Sequence, residues 1–91
     1  MMNNKQPVIK PKQFTYEEAF KSAKEDSNVV IISEVTKDKY KVEKINHEDK
    51  IKFFGPAISN WQNCIFILAA ELTGKWNIEK DGVVITESIM E

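Results

Sequence analysis

Arginine is absent from this sequence of 91 residues, and all thirteen basic residues are lysine. Fourteen carboxylates leave a formal net charge of −1. A protein that binds duplex nucleic acid normally presents a basic face and uses the planar fork of arginine on phosphate and guanine. The composition therefore argues against duplex nucleic acid as a partner.

Cysteine and long apolar runs are scarce as well. Cys64 is the single cysteine, which excludes an intramolecular disulfide and a zinc site built from cysteines. The longest unbroken apolar run, residues 64–70, falls far short of the roughly 20 residues that cross a bilayer. The polar residues 1–5 lack the apolar segment of a signal peptide. We therefore expect a cytoplasmic protein with no membrane partner.

Side chains suited to covalent chemistry are few. His47 is the single histidine, and no serine, cysteine or aspartate can be identified as its partner in a triad. Cys64 lies in the most apolar segment, where a thiol behaves as a small hydrophobe with little reactivity. The carboxylates lack calcium-loop spacing, and there is no glycine-rich phosphate loop. We expect no catalytic residue, no metal site and no cofactor, and hence a binding protein rather than an enzyme.

A chain of this length can build one hydrophobic core, which supplies only a few kcal/mol of stability. Residues 1–13 are polar, contain two prolines and show no periodicity, which predicts a flexible arm, extended or disordered. Residues 14–91 are expected to form a single α+β domain. Because its core is small, we expect the domain to form a homo-oligomer.

The start of that domain carries helix and strand signals. Thr15 and Glu18 have the spacing of a capping box, which predicts that a helix begins there. Apolar residues then recur at helical spacing until residues 26–28 end the pattern. Residues 29–32 form a β-branched run, which is typical of a central strand covered on both faces.

Two further strands are predicted from alternation. Residues 40–43 alternate as a half-buried strand does, but Ile45 is out of phase and would require a bulge near Lys44. Residues 47–49 then form a turn, and residues 51–53 alternate again until Gly55 and Pro56 end the strand. The pattern predicts a three-stranded antiparallel meander that includes residues 29–32.

A second helix is predicted over residues 60–73. Residues 59–62 have a capping-box pattern, the segment contains no glycine or proline, and Gly74 stands in the C′ position. Its middle, residues 64–70, is apolar all round, which one face of a small sheet cannot hide. Either another subunit covers this helix and forms the oligomer interface, or residues 63–70 are a buried strand.

The last element predicted is a β-hairpin. Residues 76–79 and 83–86 have strand character, and residues 80–82 between them form a turn that contains glycine. The predicted order is thus helix, meander, apolar helix and hairpin.

Aromatic side chains interleaved with amides and lysine suggest non-covalent recognition. Aromatic rings can stack on a base while amides and an ammonium group meet its edges and phosphates. Trp61 is favoured most, since the start of a helix offers free N–H groups to an anion. Aromatics at strand ends are also frequent core residues, so that alternative stays open. The predicted ligand-binding residues are Lys52, Phe54, Asn60, Trp61, Trp76 and Asn77, with Phe53 and Asn63 beside them.

Two segments carry a resemblance to a known family. FTYEEAFKSAK at residues 14–24 looks like the start of small phage proteins with a phenylalanine, a Glu-Ala pair and a short amphipathic helix. AAELTGKWNIE at residues 69–79 is similar to the closing helix and tryptophan-led strand of the same group. Both segments resemble the second Thoeris anti-defence family. Trp76 is the position that matches most clearly.

The resemblance implies an oligomeric sponge, encoded by a phage and acting in the host cytoplasm. Such a protein binds a cyclic ADP-ribose-type immune signal without cleaving it, in pre-formed pockets of aromatic rings and hydrogen-bond donors. An alternative hypothesis is a small phage or mobile-element inhibitor that binds a host defence protein or nuclease directly. A third is a purely structural oligomer without ligand or foreign partner.

Overall fold

The computed structural model describes residues 7–55, 60–64 and 66–90. These residues form an α+β fold of two helices and a mostly antiparallel sheet of many strands, so the predicted class is confirmed and the predicted strand number is too low. Neither described helix is long and apolar enough to cross a membrane. In chain order the elements are β1 (Pro7–Pro11), α1 (Tyr16–Glu25), β2 (Val29–Ser33), β3 (Lys39–Ile45), β4 (Glu48–Phe54), β5 (Gln62–Asn63), α2 (Ala69–Thr73), β6 (Trp76–Lys80), β7 (Val83–Val84) and β8 (Thr86–Met90).

The strands form two sheets. A six-stranded sheet has the order β5-β4-β3-β2-β6-β7, and β1 pairs with β8 in a separate two-stranded ribbon. Every pairing among the described strands is antiparallel. β2 lies between β3 and β6, which confirms the central strand predicted from its β-branched run.

The capping box of α1 is present as predicted. The backbone N–H of Glu18 donates to Thr15 Oγ1 at 3.2 Å, and the N–H of Thr15 donates to Glu18 Oε1 at 2.9 Å. The helix ends at Glu25, and Asp26 is its C-cap. Two small residues, Ala19 and Ala23, are buried against the sheet, which allows the helix to approach the strands closely.

One face of the six-stranded sheet forms the core. Burial alternates along β2 and β6, because successive side chains of a strand point to opposite faces. Both helices lie on this side: α1 contacts β2, β3 and β6, and α2 contacts α1. The buried apolar side chains of the core are Ala19, Ala23, Val29, Ile31, Tyr40, Val42, Trp76 and Ile78.

The predicted helix over residues 60–73 is wrong except for its last turn. Gln62 and Asn63 form the edge strand β5, and the N–H of Cys64 donates to the Ile51 carbonyl at 2.9 Å. Helix begins at Ala69 and ends at Thr73, with Gly74 as C-cap. Pairing with β4 provides hydrogen-bond partners for backbone groups of this segment. It also avoids a helix that is apolar on all sides, whose surface this sheet could bury on one side only.

The oligomer interface predicted on that helix therefore loses its structural basis. The alternative, a buried strand over residues 63–70, is also wrong, because Gln62 and Asn63 are exposed and residues 66–68 belong to no strand. Ser59, the predicted cap, lies outside the described residues.

The β3–β4 hairpin has no bulge. Its ladder is continuous from the Lys39–Phe54 pair to the Ile45–Glu48 pair. Asn46 and His47 form the turn, both at positive φ, so Glu48 and Asp49 belong to the strand rather than to the predicted turn. Ile45 stays in register and is 42% exposed, because the hairpin tip extends beyond the helices.

The chain ends depart further from the prediction. β6 and β7 form the predicted hairpin across Asp81 and Gly82, which both adopt positive φ. Residues 86–90, however, leave the sheet and pair with residues 7–11. The arm predicted as extended or disordered is thus an extended strand over Pro7–Pro11, and residues 1–6 lie outside the described residues.

The capping box gives this fold an acid-sensitive contact. Its hydrogen bonds with Thr15 hold the pKa of Glu18 below the usual value of 4.5. A lowered folded pKa means that the contact contributes stability above the unfolded pKa and loses it as pH falls through the folded one. In chemical denaturation, the stability difference between the wild type and Glu18→Gln should shrink between about pH 5 and pH 3. Glu17→Gln, which removes a first-turn carboxylate that makes no hydrogen bond among the described residues, is the matched control for the charge change.

Candidate functional site

The face of the sheet opposite the helices collects lysine, amide and aromatic side chains. Residues paired directly across antiparallel strands point to the same face. Lys41 pairs with Lys52, and Lys52 pairs with Asn63, whereas Tyr40 and Phe53 pair on the core side. We call the following side chains the open face: Lys39, Lys41, Lys52, Phe54, Trp61 and Asn63.

Two aromatic rings form the apolar part of the open face. The ring centroids of Phe54 and Trp61 are 5.6 Å apart with an interplanar angle of 51°. Both side chains are half-buried, so the pair retains surface for a ligand. This tilted arrangement is a favourable geometry for aromatic side chains and holds the indole in place on the sheet.

Lysine ammonium groups surround the aromatic pair. Lys41 Nζ lies 4.4 Å from the centre of the Trp61 ring, a cation–π contact, and also 3.4 Å from Glu43. Lys52 Nζ donates to Asn63 Oδ1 at 2.6 Å. Among the described residues, neither Lys39 nor Lys52 forms a salt bridge. Cationic charge is thus available beside the rings although the whole chain is slightly acidic.

Three of the predicted ligand-binding residues come together here, and a fourth is their neighbour in sequence. Lys52, Phe54 and Trp61 belong to the open face, and Asn60, which is exposed, directly precedes Trp61. The reason given for Trp61 is nevertheless wrong, because residues 60–63 are not the start of a helix and offer no helical N–H groups to an anion. Sheet register, rather than a helix terminus, assembles the site.

Trp76 belongs to the core and not to a ligand surface. It is 0% exposed, and its rings lie 5.5 Å from Tyr16 and 5.4 Å from Tyr40 between centroids. Its indole N–H donates to the Glu71 carbonyl at 2.8 Å. The alternative interpretation of strand-end aromatics as core residues is therefore correct at this position.

Asn77 also lies apart from the other predicted residues. Its side-chain amide donates to the Lys12 carbonyl at 3.1 Å and so fixes the chain that follows β1. Three strand spacings separate β6 from β4, which places Asn77 about 14 Å from the strand of Phe54. One small ligand on Trp61 would not reach it.

A buried polar cluster that no sequence pattern predicted lies next to Trp76. Glu71 is 1% exposed, and its carboxylate accepts hydrogen bonds from the Tyr40 hydroxyl at 2.9 Å and the Thr36 hydroxyl at 2.9 Å. The N–H of Leu68 donates to it at 3.1 Å. Burial and the Glu71 carboxylate raise the pKa of Tyr40, so this hydroxyl stays a donor. A glutamate three residues after Leu68 carries no recognised capping signal, because leucine cannot cap a helix.

A cavity of about 220 Å³ adjoins this cluster. Burial, with a contribution from the charge of Glu71, raises the pKa of Asp38 at its wall. Three donors of the chain already engage the Glu71 carboxylate, and apolar atoms form most of the cavity wall. Its lining residues are Asp38, Tyr40, Phe53, Phe66, Leu68 and Glu71.

The remaining reactive side chains are dispersed. His47 lies in the exposed β3–β4 turn, at the opposite end of the hairpin from Phe54. The Cys64 thiol donates to the Phe66 carbonyl at 3.3 Å, and burial raises its pKa, which disfavours the thiolate. Within the described residues, no group of three or more histidine, cysteine or carboxylate side chains is placed to hold a metal ion.

No family model, curated protein or solved structure matches the chain. The function must therefore be argued from the geometry of its own residues.

The buried cluster yields a stability prediction. Tyr40→Phe removes a donor from the buried Glu71 carboxylate, which should cost about 1–3 kcal/mol, because a buried polar group loses a partner. Thermal unfolding should show a decrease of several degrees for a domain of this size. Tyr16→Phe is the matched control, since the Tyr16 hydroxyl has no hydrogen-bond partner among the described residues and only its ring packs on Phe20 and Trp76. Equal melting temperatures for the two variants would contradict the assigned role of the cluster.

Proposed function

We propose that this protein is a non-catalytic binding domain that holds a phosphate-bearing nucleotide on the open face. The observation that carries the proposal is the Trp61–Phe54 pair with lysines on the strands beside it. Base stacking and phosphate neutralisation are the two contacts that nucleotide binding requires, and both groups are present within one patch.

The aromatic pair would bind the base on its outer surface. A separation of 5.6 Å between the ring centroids leaves no room for a base between Phe54 and Trp61, so the base would stack on the indole in place of Lys41, which now contacts the ring. Stacking of one base on an aromatic side chain contributes about 1–3 kcal/mol. The exposed amide of Asn60, next to Trp61, is suited to the polar edge of that base.

The lysines would bind the phosphates. Lys39 and Lys52 have no carboxylate partner among the described residues, so their charge is not already neutralised. A lysine ammonium binds phosphate as a point charge and accepts several geometries. Asn63 orients Lys52 through the 2.6 Å hydrogen bond and keeps its ammonium group at the sheet surface.

Sequestration, rather than turnover, suits these groups. The single histidine lies at the hairpin tip, about 20 Å from Phe54 along the strand. Among the described residues, the open face contains no thiol or imidazole, and the Glu43 carboxylate on the same side of β3 is already engaged by Lys41 at 3.4 Å. We therefore propose that a bound nucleotide is retained intact.

The resemblance to the second Thoeris anti-defence family suggests the biological role. Residues 14–24 include all but the last residue of the short amphipathic helix α1, and residues 69–79 contain a short helix that leads into the tryptophan-led strand β6, the local structures that the resemblance implies. On this basis we propose sequestration of a cyclic ADP-ribose-type immune signal as the function. Trp76, the clearest match, then maintains the fold and does not touch the ligand.

The test is a thermal-shift titration against cyclic ADP-ribose isomers and cyclic di- and trinucleotides, with affinities from calorimetry. A ligand at a hundred times its Kd should stabilise the fold by about 2.7 kcal/mol. Trp61→Ala should weaken the binding by about 5- to 150-fold, the equivalent of losing one base stack. Phe66→Ala, which also truncates an aromatic ring, but at a side chain that is 69% exposed and lies outside the open face, should bind normally. Equal affinities for both variants would refute the site.

A second candidate function has a separate observation in its favour. Large apolar side chains lie exposed in and around α2: Val35 at 51%, Phe66 at 69%, Leu68 at 46% and Leu72 at 45%, and two of them, Phe66 and Leu68, also line the cavity beside Glu71. An exposed apolar patch is typical of a protein-binding surface and fits an inhibitor that docks on a host defence protein or nuclease.

The same two variants distinguish the candidates. Under the inhibitor hypothesis no nucleotide shifts the melting temperature, and Phe66→Ala, rather than Trp61→Ala, weakens a one-to-one complex captured from host lysate. Loss of that complex in Trp61→Ala with retention in Phe66→Ala would contradict the placement of the interface near α2.

A further inference from the structure

The ribbon of β1 and β8 lies beside the main sheet as an isolated pair of strands. The molecule is elongated, with principal extents of 60 × 25 × 24 Å. An isolated two-stranded ribbon is marginally stable in water, and each of its strands has an outer edge of unpaired backbone groups. The two outer edges of this ribbon differ in the number of backbone N–H groups that they can offer to another strand.

Two hydrogen bonds at the base of the ribbon determine which residues point their backbone N–H and C=O groups towards the paired strand and which point them outward. The N–H of Lys12 donates to the Ile85 carbonyl at 2.9 Å, and the N–H of Ile85 donates to the Ile78 carbonyl at 2.8 Å. Backbone groups alternate in direction along a strand. In β8, odd-numbered residues therefore direct their N–H towards β1, and even-numbered residues direct it away from β1, to the outer edge of the ribbon.

The outer edge of β1 is protected by proline. In β1 the even residues Val8 and Lys10 point their N–H towards β8, so positions 7, 9 and 11 point outward. Two of these three positions are Pro7 and Pro11, which have no N–H to offer. Proline at outward positions is a known protection of an edge strand against pairing.

The outer edge of β8 has no such protection. Thr86, Ser88 and Met90 direct their N–H and carbonyl groups outward, and none of them is paired with a described residue on that side. Val84 at the end of β7 extends the same edge, so the free groups continue along the margin of the main sheet. The outer edge of β1 thus offers one N–H group, that of Ile9, whereas the outer edge of β8, called the open edge below, offers three.

We infer that the open edge of β8 pairs antiparallel with β8 of a second copy, joining two ribbons into one four-stranded sheet. A two-fold axis at Ser88 gives the largest overlap and places Thr86 opposite Met90 of the second copy. In that register Glu87 lies opposite residue 89 and not opposite its own counterpart, which avoids a pair of like charges. Within each ribbon Lys10 lies directly across from Glu87, so the carboxylate charge is offset.

Self-pairing is favoured over a foreign strand because this register is self-complementary. A two-fold axis at Glu87 would instead place two carboxylates opposite each other, which selects the axis at Ser88. The inferred dimer does not depend on the ligand of the open face, and it replaces the interface expected on residues 60–73.

Proline substitution tests the edge directly. Ser88→Pro removes an outward N–H and leaves every inward bond to β1 available, as Pro7 and Pro11 already do on the other strand. Light scattering should give twice the chain mass of 10.5 kDa for the wild type and 10.5 kDa for Ser88→Pro. Ser88→Ala, which keeps the N–H, should remain dimeric. A monomeric wild type, or a dimeric Ser88→Pro variant, would overturn the inference.

A cross-linking experiment tests the register and does not require a proline variant to fold. In a Cys64→Ser background, Ser88→Cys places two thiols opposite each other across the axis, within the Cα separation that a disulfide allows. Thr86→Cys places its thiol about 13 Å from its counterpart along the strands, too far for a disulfide. Oxidation should yield a covalent dimer from the first variant and not from the second. Equal cross-linking of both, or of neither, would rule out the axis at Ser88.

Discussion

The hydrogen bond from the Trp76 indole to the Glu71 carbonyl is the contact on which the rest of this structure depends. It joins the first residue of β6 to the five-residue helix α2, which is too short to be stable in isolation. The Trp76 ring packs on Tyr16 of α1 and Tyr40 of β3, and the Glu71 carboxylate accepts from the Tyr40 hydroxyl. One buried cluster thus connects both helices to the sheet, and because it satisfies its own polar groups it needs no charged partner.

Local signals in the sequence predicted the parts of the fold that local physics determines. The capping box of Thr15 placed α1, and the β-branched run of residues 29–32 placed the central strand. Residues 62–64 could not be predicted in this way, because their helix propensity is overridden by pairing with β4, a contact outside the segment itself. The same limit applies to β1, whose partner lies at the other end of the chain.

The candidate site was predictable only in part, for the same reason. Residue type indicated Trp61, Phe54 and Lys52, and the sheet register brings them together. Trp76 is also a tryptophan next to an asparagine, but it lies at the start of a strand on the core face. Residue type alone does not distinguish this core position from that of Trp61 on the open face. Lys41 was missed although its alternation with Tyr40 was visible, because its position beside Lys52 follows from the pairing of β3 with β4.

The contact between Lys41 and Trp61 determines how the open face would accept a ligand. With its ammonium group 4.4 Å from the ring centre, Lys41 occupies one side of the indole before any base arrives. An exposed cation–π contact is worth about 0.5–1 kcal/mol, whereas a hydrogen bond to a charged group contributes about 1.5–3 kcal/mol. In the proposed function, Lys41 moves from the ring to a phosphate, which also gives up its 3.4 Å ion pair with Glu43, a surface contact worth about 0–1 kcal/mol, and frees the indole for stacking. A nucleotide that provides both base and phosphate gains from both steps, while a nucleoside without phosphate must displace the lysine with no compensating contact.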